Sequence, residues 1–98
     1  MDSINPGNNF TVIPNTTAQD TTLTMQQKGL LCTILSLPEE WDFNEENLAK
    51  ILPDEKSEIT SALRGLEKKG YLKRIKSEDN SYNWEIYATP LKISGDKV

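Results

Sequence analysis

The 98-residue chain has no histidine and a single cysteine, Cys32. Histidine is the commonest general base and the commonest zinc ligand, so its absence removes the usual starting point for acid–base catalysis and for a zinc site. One cysteine cannot form an internal disulfide or a thiolate cage, which fits a reducing compartment. The sequence also lacks a run of about 18 apolar residues and the basic, apolar pattern of a secretory signal. We therefore expect a cytoplasmic protein with no membrane contact.

Other constellations that carry chemistry are absent from the sequence as well. It contains no glycine-rich phosphate loop and no cluster with metal-ligand spacing. The acids at 39–46 have no companion nucleophile or histidine that would make them an acid–base site. We expect no enzymatic activity, no catalytic residue, no bound metal or cofactor and no small-molecule substrate.

The length corresponds to one small domain. Such a chain buries roughly 60–65% of the surface that it exposes when unfolded, which allows one modest core. Residues 1–9 are polar and include Pro6 and Gly7, so we predict a disordered lead-in there. We place the domain at residues 10–89 and predict a tail or the start of a linker at 90–98.

Charge is divided unevenly along the chain. The net charge of −4 argues on average against a polyanionic partner. Residues 39–46 carry five acids and no base, whereas residues 56–76 carry seven Lys and Arg against two Glu, a local charge of +5. Such asymmetry often marks a nucleic-acid face on an acidic domain. The alternative is two solvated surfaces of opposite sign.

The first half of the domain contains one clear helix signal. Residues 10–13 form a β-prone run ended by Pro14, which predicts an edge strand, and residues 15–22 have loop composition. Thr24 and Gln27 have the spacing of a capping box. The helix that follows has an apolar stripe at Leu30, Leu31, Ile34 and Leu35. Gly29 within it costs roughly 1 kcal/mol relative to alanine, which suggests a close neighbour.

The second half predicts two helices and a hairpin. A very short strand at residues 41–43 precedes Asn44, a favourable N-cap for a brief helix that ends before Pro53. A third helix is predicted from about Asp54 to Lys69, with Gly70 as its left-handed stop. Two β-rich segments then flank the turn-forming residues 77–81. This order predicts an α+β winged helix: a three-helix helix-turn-helix core, a C-terminal hairpin wing and a short N-terminal strand.

The predicted third helix is the best candidate for reading DNA. At about 100° per residue, its apolar positions share one side. The opposite arc carries only hydroxyls and bases, which are groups that bond phosphates and base edges: Ser57, Thr60, Ser61, Arg64 and Lys68. An α-helix fits the major groove, which is about 12 Å wide. With five positions, an acid-free arc can also arise by chance.

The hairpin is the second candidate contact. Arg74 and Lys76 alternate onto one face of its first strand, while Lys73 points the other way. We predict that Arg74 and Lys76 contact phosphates and that Asn80 contacts DNA at the tip. The alternative is that these bases protect an edge strand from aggregation.

The stretch LAKILPDEKSEITSALRGLEKKGYLKR resembles the helix-turn-helix of winged-helix DNA-binding proteins. The longer pattern FTVIPNTTAQDTTLTMQQKGLLCTILSLPEEWDFNEENLAKIL is similar to the N-terminal domain of phage and prophage replication initiators, the DnaD-like replisome-organiser proteins. The resemblance covers roughly residues 10–88. It implies a winged helix that binds double-stranded DNA or supports oligomerisation. By position, it also implies a recognition surface formed by Lys56, Ser57, Thr60, Ser61 and Arg64.

Two functions follow from these observations. The leading one is a double-stranded DNA-binding module from a replication initiator or a related regulator. The alternative is a protein-interaction or self-association module, with replication proteins as possible partners, that does not read DNA. Asp54 and Glu55 favour the alternative, because they lie where the family usually has an apolar residue and a Ser or Thr, and would repel a phosphate. The predicted edge strand at 10–13, which could pair with a partner strand, favours it too.

Overall fold

The structure, a computed structural model, describes residues 10–90. In chain order its elements are α1 (Asn15–Ala18), α2 (Met25–Ser36), α3 (Glu45–Ile51), α4 (Lys56–Lys68), β1 (Leu72–Lys76) and β2 (Tyr82–Ile86). Three longer helices followed by an antiparallel hairpin confirm the predicted α+β class and are consistent with a winged helix. The predicted lead-in, residues 1–9, and residues 91–98 of the predicted tail lie outside the described residues.

Local capping sets the helix boundaries as the sequence predicts. The Thr24 hydroxyl accepts from the Gln27 N–H at 3.1 Å, and the Gln27 side-chain oxygen accepts from the Thr24 N–H at 3.0 Å, which completes a capping box at the start of α2. Asn44 caps α3 in the same way, through the N–H of Asn47 at 2.7 Å. Gly70 has a φ of 89° just after α4, a conformation that glycine adopts without steric strain.

The core lies where α2, α3 and β1 pack against α4. Leu48, Leu63 and Leu66 have no exposed surface, and the cluster around them contains Leu23, Leu30, Leu31, Ile34, Ile59, Ala62, Tyr71 and Leu72. Burial of a large apolar side chain contributes roughly 1.5–3 kcal/mol. The stripe predicted for the first helix and the apolar side predicted for the third therefore meet in one core.

The N-terminal strand predicted at residues 10–13 is wrong. The structure has neither helix nor strand at residues 10–14, and one helical turn, α1, replaces part of the predicted loop. Phe10 and Val12 are exposed, so this segment has no apolar face held against the core. The carbonyl of Pro14 instead accepts from the N–H groups of Thr17 and Ala18, both at 3.0 Å, and thereby begins α1.

The short strand predicted at residues 41–43 is also wrong. The Trp41 N–H donates to the carbonyl of Pro38 at 3.0 Å, and the Asn47 side chain donates to the carbonyl of Asp42 at 2.9 Å. The Trp41 N–H and the Asp42 carbonyl are thus hydrogen-bonded within a turn and to a side chain, whereas in a strand they would pair with a neighbouring strand. Two further contacts, with Phe43, are aromatic: its ring centroid lies 5.0 Å from that of Trp41 and 5.9 Å from that of Trp84. The segment packs against the hairpin through side chains.

The N-terminal segment is hydrogen-bonded to the open end of the hairpin, beside the start of β1 and the end of β2. The buried Thr17 donates its hydroxyl to the carbonyl of Ala88 at 2.6 Å, and Tyr71 donates its hydroxyl to Asp20 at 2.7 Å. Hydrogen bonds from Thr22 and Tyr71 lower the pKa of the Asp20 carboxyl to about 2. These contacts explain why residues 15–23 belong to the folded domain although their composition is that of a loop.

The two glycines within helices differ in their surroundings. A Cβ on Gly29 would have no neighbour within 4 Å, so the close neighbour predicted there is absent. A Cβ on Gly65 would overlap the Gln27 side-chain amide, which is part of the capping box of α2. Gly65 therefore allows the close approach of α2 and α4, and Gly29 has no such role.

We expect Gly29→Ala to raise the free energy of unfolding by about 0.5–1 kcal/mol, because alanine is the better helix former and its methyl group meets nothing. Gly65→Ala should raise the free energy of unfolding by less, or should lower it, because the methyl group displaces the Gln27 amide from its hydrogen bond. Urea denaturation of both variants beside the wild type measures the difference. Equal gains at the two positions would contradict this account.

Candidate nucleic-acid interface

One side of α4 is exposed to solvent and carries no acid. Ile59, Leu63 and Leu66 point into the core, and the opposite side presents four exposed residues: Ser57, Ser61, Arg64 and Lys68. We call these four the outward face. It brings together two hydroxyls and two bases over about three helical turns, which are suitable groups for phosphate oxygens and base edges.

Two other predicted contact residues of α4 lie towards α3. Thr60 is half-buried and donates its hydroxyl to the Glu45 carboxylate at 2.6 Å. Lys56 is exposed, with its Nζ 3.6 Å from a carboxylate oxygen of Glu46. The structure thus separates Thr60 and Lys56 from the outward face and places each beside an acid.

Arg74 is held inside the domain by two carboxylates. Its Nε and Nη2 donate to the two oxygens of Glu67, both at 2.8 Å, and its Nη1 donates to Glu45 at 2.9 Å. Its guanidinium carbon lies 5.3 Å from the ring centroid of Trp84, its cross-strand partner, and only 15% of its side chain is exposed. We call Arg74, Glu67, Glu45 and Thr60 the Arg74 cluster. The bidentate geometry is a strong form of ion pair.

These contacts shift the pKa values of Arg74 and Glu45 so that each side chain favours its charged form. The hydrogen bond to Glu67 raises the pKa of Arg74 against the opposing effect of its burial, and the hydrogen bond to Glu45 raises it further. Partial burial raises the pKa of Glu45, but hydrogen bonds from Thr60 and Arg74 outweigh it and bring the net pKa below its usual value. Arg74 and Glu45 therefore stay charged at neutral pH, and Glu45 offsets one positive charge of residues 56–76 within the fold.

The wing carries the remaining two predicted residues. Lys76 is exposed at the end of β1 opposite Tyr82, and Asn80 is exposed in the turn with a φ of 72°. Asp79 organises this turn by accepting from Ser81 and Ser77, and those hydrogen bonds lower its pKa to about 2. Asn80 thus lies beside a carboxylate that is ionised at neutral pH, whereas Lys76 lies at the base of the turn.

The beginning of α4 is acidic. Glu55 is its N-cap residue, and the Glu55 N–H donates to the Glu58 carboxylate at 3.2 Å. Asp54 precedes it and accepts from the Gln26 side chain at 3.2 Å. The three negative charges lie at the positive end of the helix dipole, where they oppose the binding of an anion.

The contacts within the Arg74 cluster were not predicted from the sequence. Its signal was present, because a helix followed by a tight turn at Gly70 folds β1 back along α4. An acid in the last turns of α4, such as Glu67, can then meet a base at an inward strand position such as Arg74. The contribution of Glu45 had no such signal, since it depends on how α3 packs on α4.

The arrangement is that of a winged helix-turn-helix protein: α3 and α4 joined by a short turn, with the hairpin after them. A family model described as a helix-turn-helix domain matches residues 21–72, more than half of the chain. The chain belongs to this helix-turn-helix family, and the family indicates DNA binding. No curated protein and no solved structure matches the chain.

Among residues 10–90, no group of three or more Cys, Asp or Glu side chains is placed to hold a metal ion. No helix in the same range is long and apolar enough to cross a bilayer.

We expect the Arg74–Glu67 pair to be worth about 1–2 kcal/mol of coupling energy in a double-mutant cycle with Arg74→Met and Glu67→Gln. The reason is that the pair is bidentate and mostly shielded from water. The exposed Lys56–Glu46 pair, treated with Lys56→Met and Glu46→Gln, serves as control and should give less than about 1 kcal/mol. Urea denaturation at low salt measures both, and equal coupling in the two cycles would refute the assignment.

Proposed function

We propose that this domain binds double-stranded DNA by placing the outward face of α4 in the major groove. The single observation that carries the proposal is that all four residues of that face are exposed, two are basic and none is acidic. Arg64 and Lys68 supply the phosphate and base-edge contacts, and the hydroxyls of Ser57 and Ser61 supply the neutral ones. We propose no enzymatic activity for the domain.

Residues outside the outward face contribute unequally to this proposal. Lys76 is an exposed base on the wing and is suited to a phosphate contact. Arg74 and Thr60 position the interface indirectly, because their hydrogen bonds to Glu45 and Glu67 hold α3, α4 and β1 together. Asn80 is available at the wing tip, where Asp79 limits it to contacts other than phosphate.

The test is the change in fluorescence anisotropy of a labelled DNA duplex at about 50 and 200 mM salt. With about four phosphate contacts, we expect log K to fall against log salt with a slope of roughly −3 to −4. Arg64→Glu should weaken binding at least about tenfold and reduce the magnitude of the slope by about one. Salt-independent binding would refute the proposal.

A charge-matched control is Lys50→Glu. Lys50 is an exposed base on α3 that lies beside Pro38 and Trp41, away from the outward face. The two variants have the same net charge, so a general electrostatic effect would weaken both equally. We expect the Lys50 variant to bind within about twofold of the wild type, and equal loss in both variants would argue against a contact specific to α4.

The biological role that we propose is replication initiation in a phage or prophage. It is supported by the resemblance of residues 10–88 to DnaD-like replication initiators. Sequencing of genomic DNA fragments recovered with the protein tests it. Enrichment at a replication origin is the expected result, and enrichment at promoters would assign the domain to transcriptional control instead.

The second candidate is a protein-interaction or self-association module that does not read DNA. The observation that favours it is the acidic beginning of α4, at Asp54, Glu55 and Glu58. The predicted edge strand at 10–13 no longer supports it, because no strand forms there. Folded protein that fails to bind duplex DNA at either salt concentration would favour this candidate.

A further inference from the structure

A groove of about 290 Å³ lies between α2 and the first half of α4. Its apolar lining comes from both helices and from the turn before α4: Leu30, Leu52, Ile59 and Ala62. Asp54 and Glu58 line the groove as well. The volume is close to the lower limit for pockets that hold a small ligand or a few side chains.

Gly29 lies in the α2 wall of this groove. A Cβ at this position would have no neighbour within 4 Å, so packing within residues 10–90 does not require a glycine. Glycine in a helix interior nevertheless costs roughly 1 kcal/mol relative to alanine. Glycine is commonly found where another molecule must approach the backbone closely. At Gly29 the space that a side chain would fill is open, and it faces the groove.

The charge of the groove has one sign. Among the described residues that line it, Asp54 and Glu58 are the charged ones, and none is a lysine or arginine. Met25, at the start of α2, lines the groove and is 88% exposed. Methionine provides an adaptable apolar contact at interaction surfaces. The complementary ligand is therefore an apolar side chain accompanied by a positive charge.

The groove and the outward face are separate surfaces of α4. Successive residues differ by about 100°, so Ala62 in the groove points well away from Ser61 on the outward face. Arg64 and Lys68 do not line the groove. A ligand in the groove can accordingly be present with or without DNA on the outward face.

We propose that the α2–α4 groove is a docking site for a short segment of a partner protein that inserts a large apolar side chain beside a lysine or arginine. The apolar side chain packs against Leu30 and Ile59, the backbone of the segment approaches Gly29, and the positive group pairs with Asp54 and Glu58. This proposal does not rest on DNA binding. A cationic segment is chosen over nucleic acid because a phosphate backbone would be repelled by both carboxylates.

The test begins with selection from a phage-displayed library of random 12-residue peptides on the immobilised wild-type domain. The enriched peptides are then synthesised, and their affinities are measured by isothermal titration calorimetry. We expect enriched sequences to combine a large apolar residue with an adjacent Lys or Arg. No enrichment, or enrichment of acidic or purely polar sequences, overturns the proposal.

A groove-filling variant, Gly29→Leu, identifies where the selected peptides bind. We expect it to weaken their binding by at least about tenfold while melting at or above the wild-type temperature, because leucine is the better helix former. The control is Cys32→Leu, which adds the same side chain at an exposed position of α2 outside the groove lining. Unchanged affinity in the Gly29 variant, or equal loss in both, overturns the assignment to the groove.

A charge variant tests the recognition of the basic residue. Asp54→Asn with Glu58→Gln keeps groups able to accept the hydrogen bonds from Gln26 and Glu55 while it removes both charges. We expect a loss of about three- to tenfold that shrinks as salt is raised. Glu39→Gln with Glu40→Gln is the charge-matched control and should leave peptide affinity unchanged. Peptide affinity that is unchanged in the groove variant, or a loss of affinity that stays the same as salt is raised, overturns the charge assignment.

Sedimentation velocity separates a partner protein from a second copy of this chain. We expect the wild-type domain and the Gly29→Leu variant to sediment alike across the concentration range. Self-association of the wild type that the variant abolishes would mean that a second copy fills the groove, and would overturn the proposal. Duplex DNA binding by the Gly29→Leu variant at wild-type affinity shows that loss of peptide binding is separate from the proposed DNA function.

Discussion

The fold depends on one helix that must serve both as the centre of the core and as an exposed surface. A chain of this size buries one modest core, and α4 supplies its middle through Leu63 and Leu66, which have no exposed surface. Because α2, α3 and β1 all pack on α4, the orientation of its outward face is set by the core. A change in core packing would therefore turn or shift the residues that face solvent.

The Arg74 cluster extends this constraint to the wing. A two-stranded hairpin is marginally stable alone, so its position must come from contacts with the helices. Arg74 joins β1 to α4 through Glu67 and to α3 through Glu45, while its guanidinium lies over Trp84 of β2. One side chain thus connects α3 and α4 with both strands of the wing. Three of the five N–H donors of Arg74 are thereby engaged within the fold.

Most of the fold was predictable because its signals are local. The capping box of α2, the stop at Gly70 and the turn at 77–81 each depend on residues a few positions apart. The two strand predictions that were wrong, at 10–13 and 41–43, concern short segments whose conformation depends on residues distant in the sequence. The outward face followed from helical periodicity, whereas the roles of Arg74 and Thr60 did not, because Glu45 reaches them only after α3 packs on α4. Sequence alone counts charges, and it does not show which of them neutralise one another.

The charges along α4 divide the helix between two kinds of partner. The carboxylates of Glu55 and Glu58 lie at its N-terminal end, where their negative charge offsets the positive end of the helix dipole that would otherwise attract a phosphate. The free bases begin about two turns later, at Arg64 and Lys68. A duplex bound on the outward face therefore has its phosphate contacts towards the C-terminal half of α4. The acidic end of α4 is also where the α2–α4 groove lies, since Asp54 and Glu58 line it, and its charge suits the cationic segment proposed for that groove.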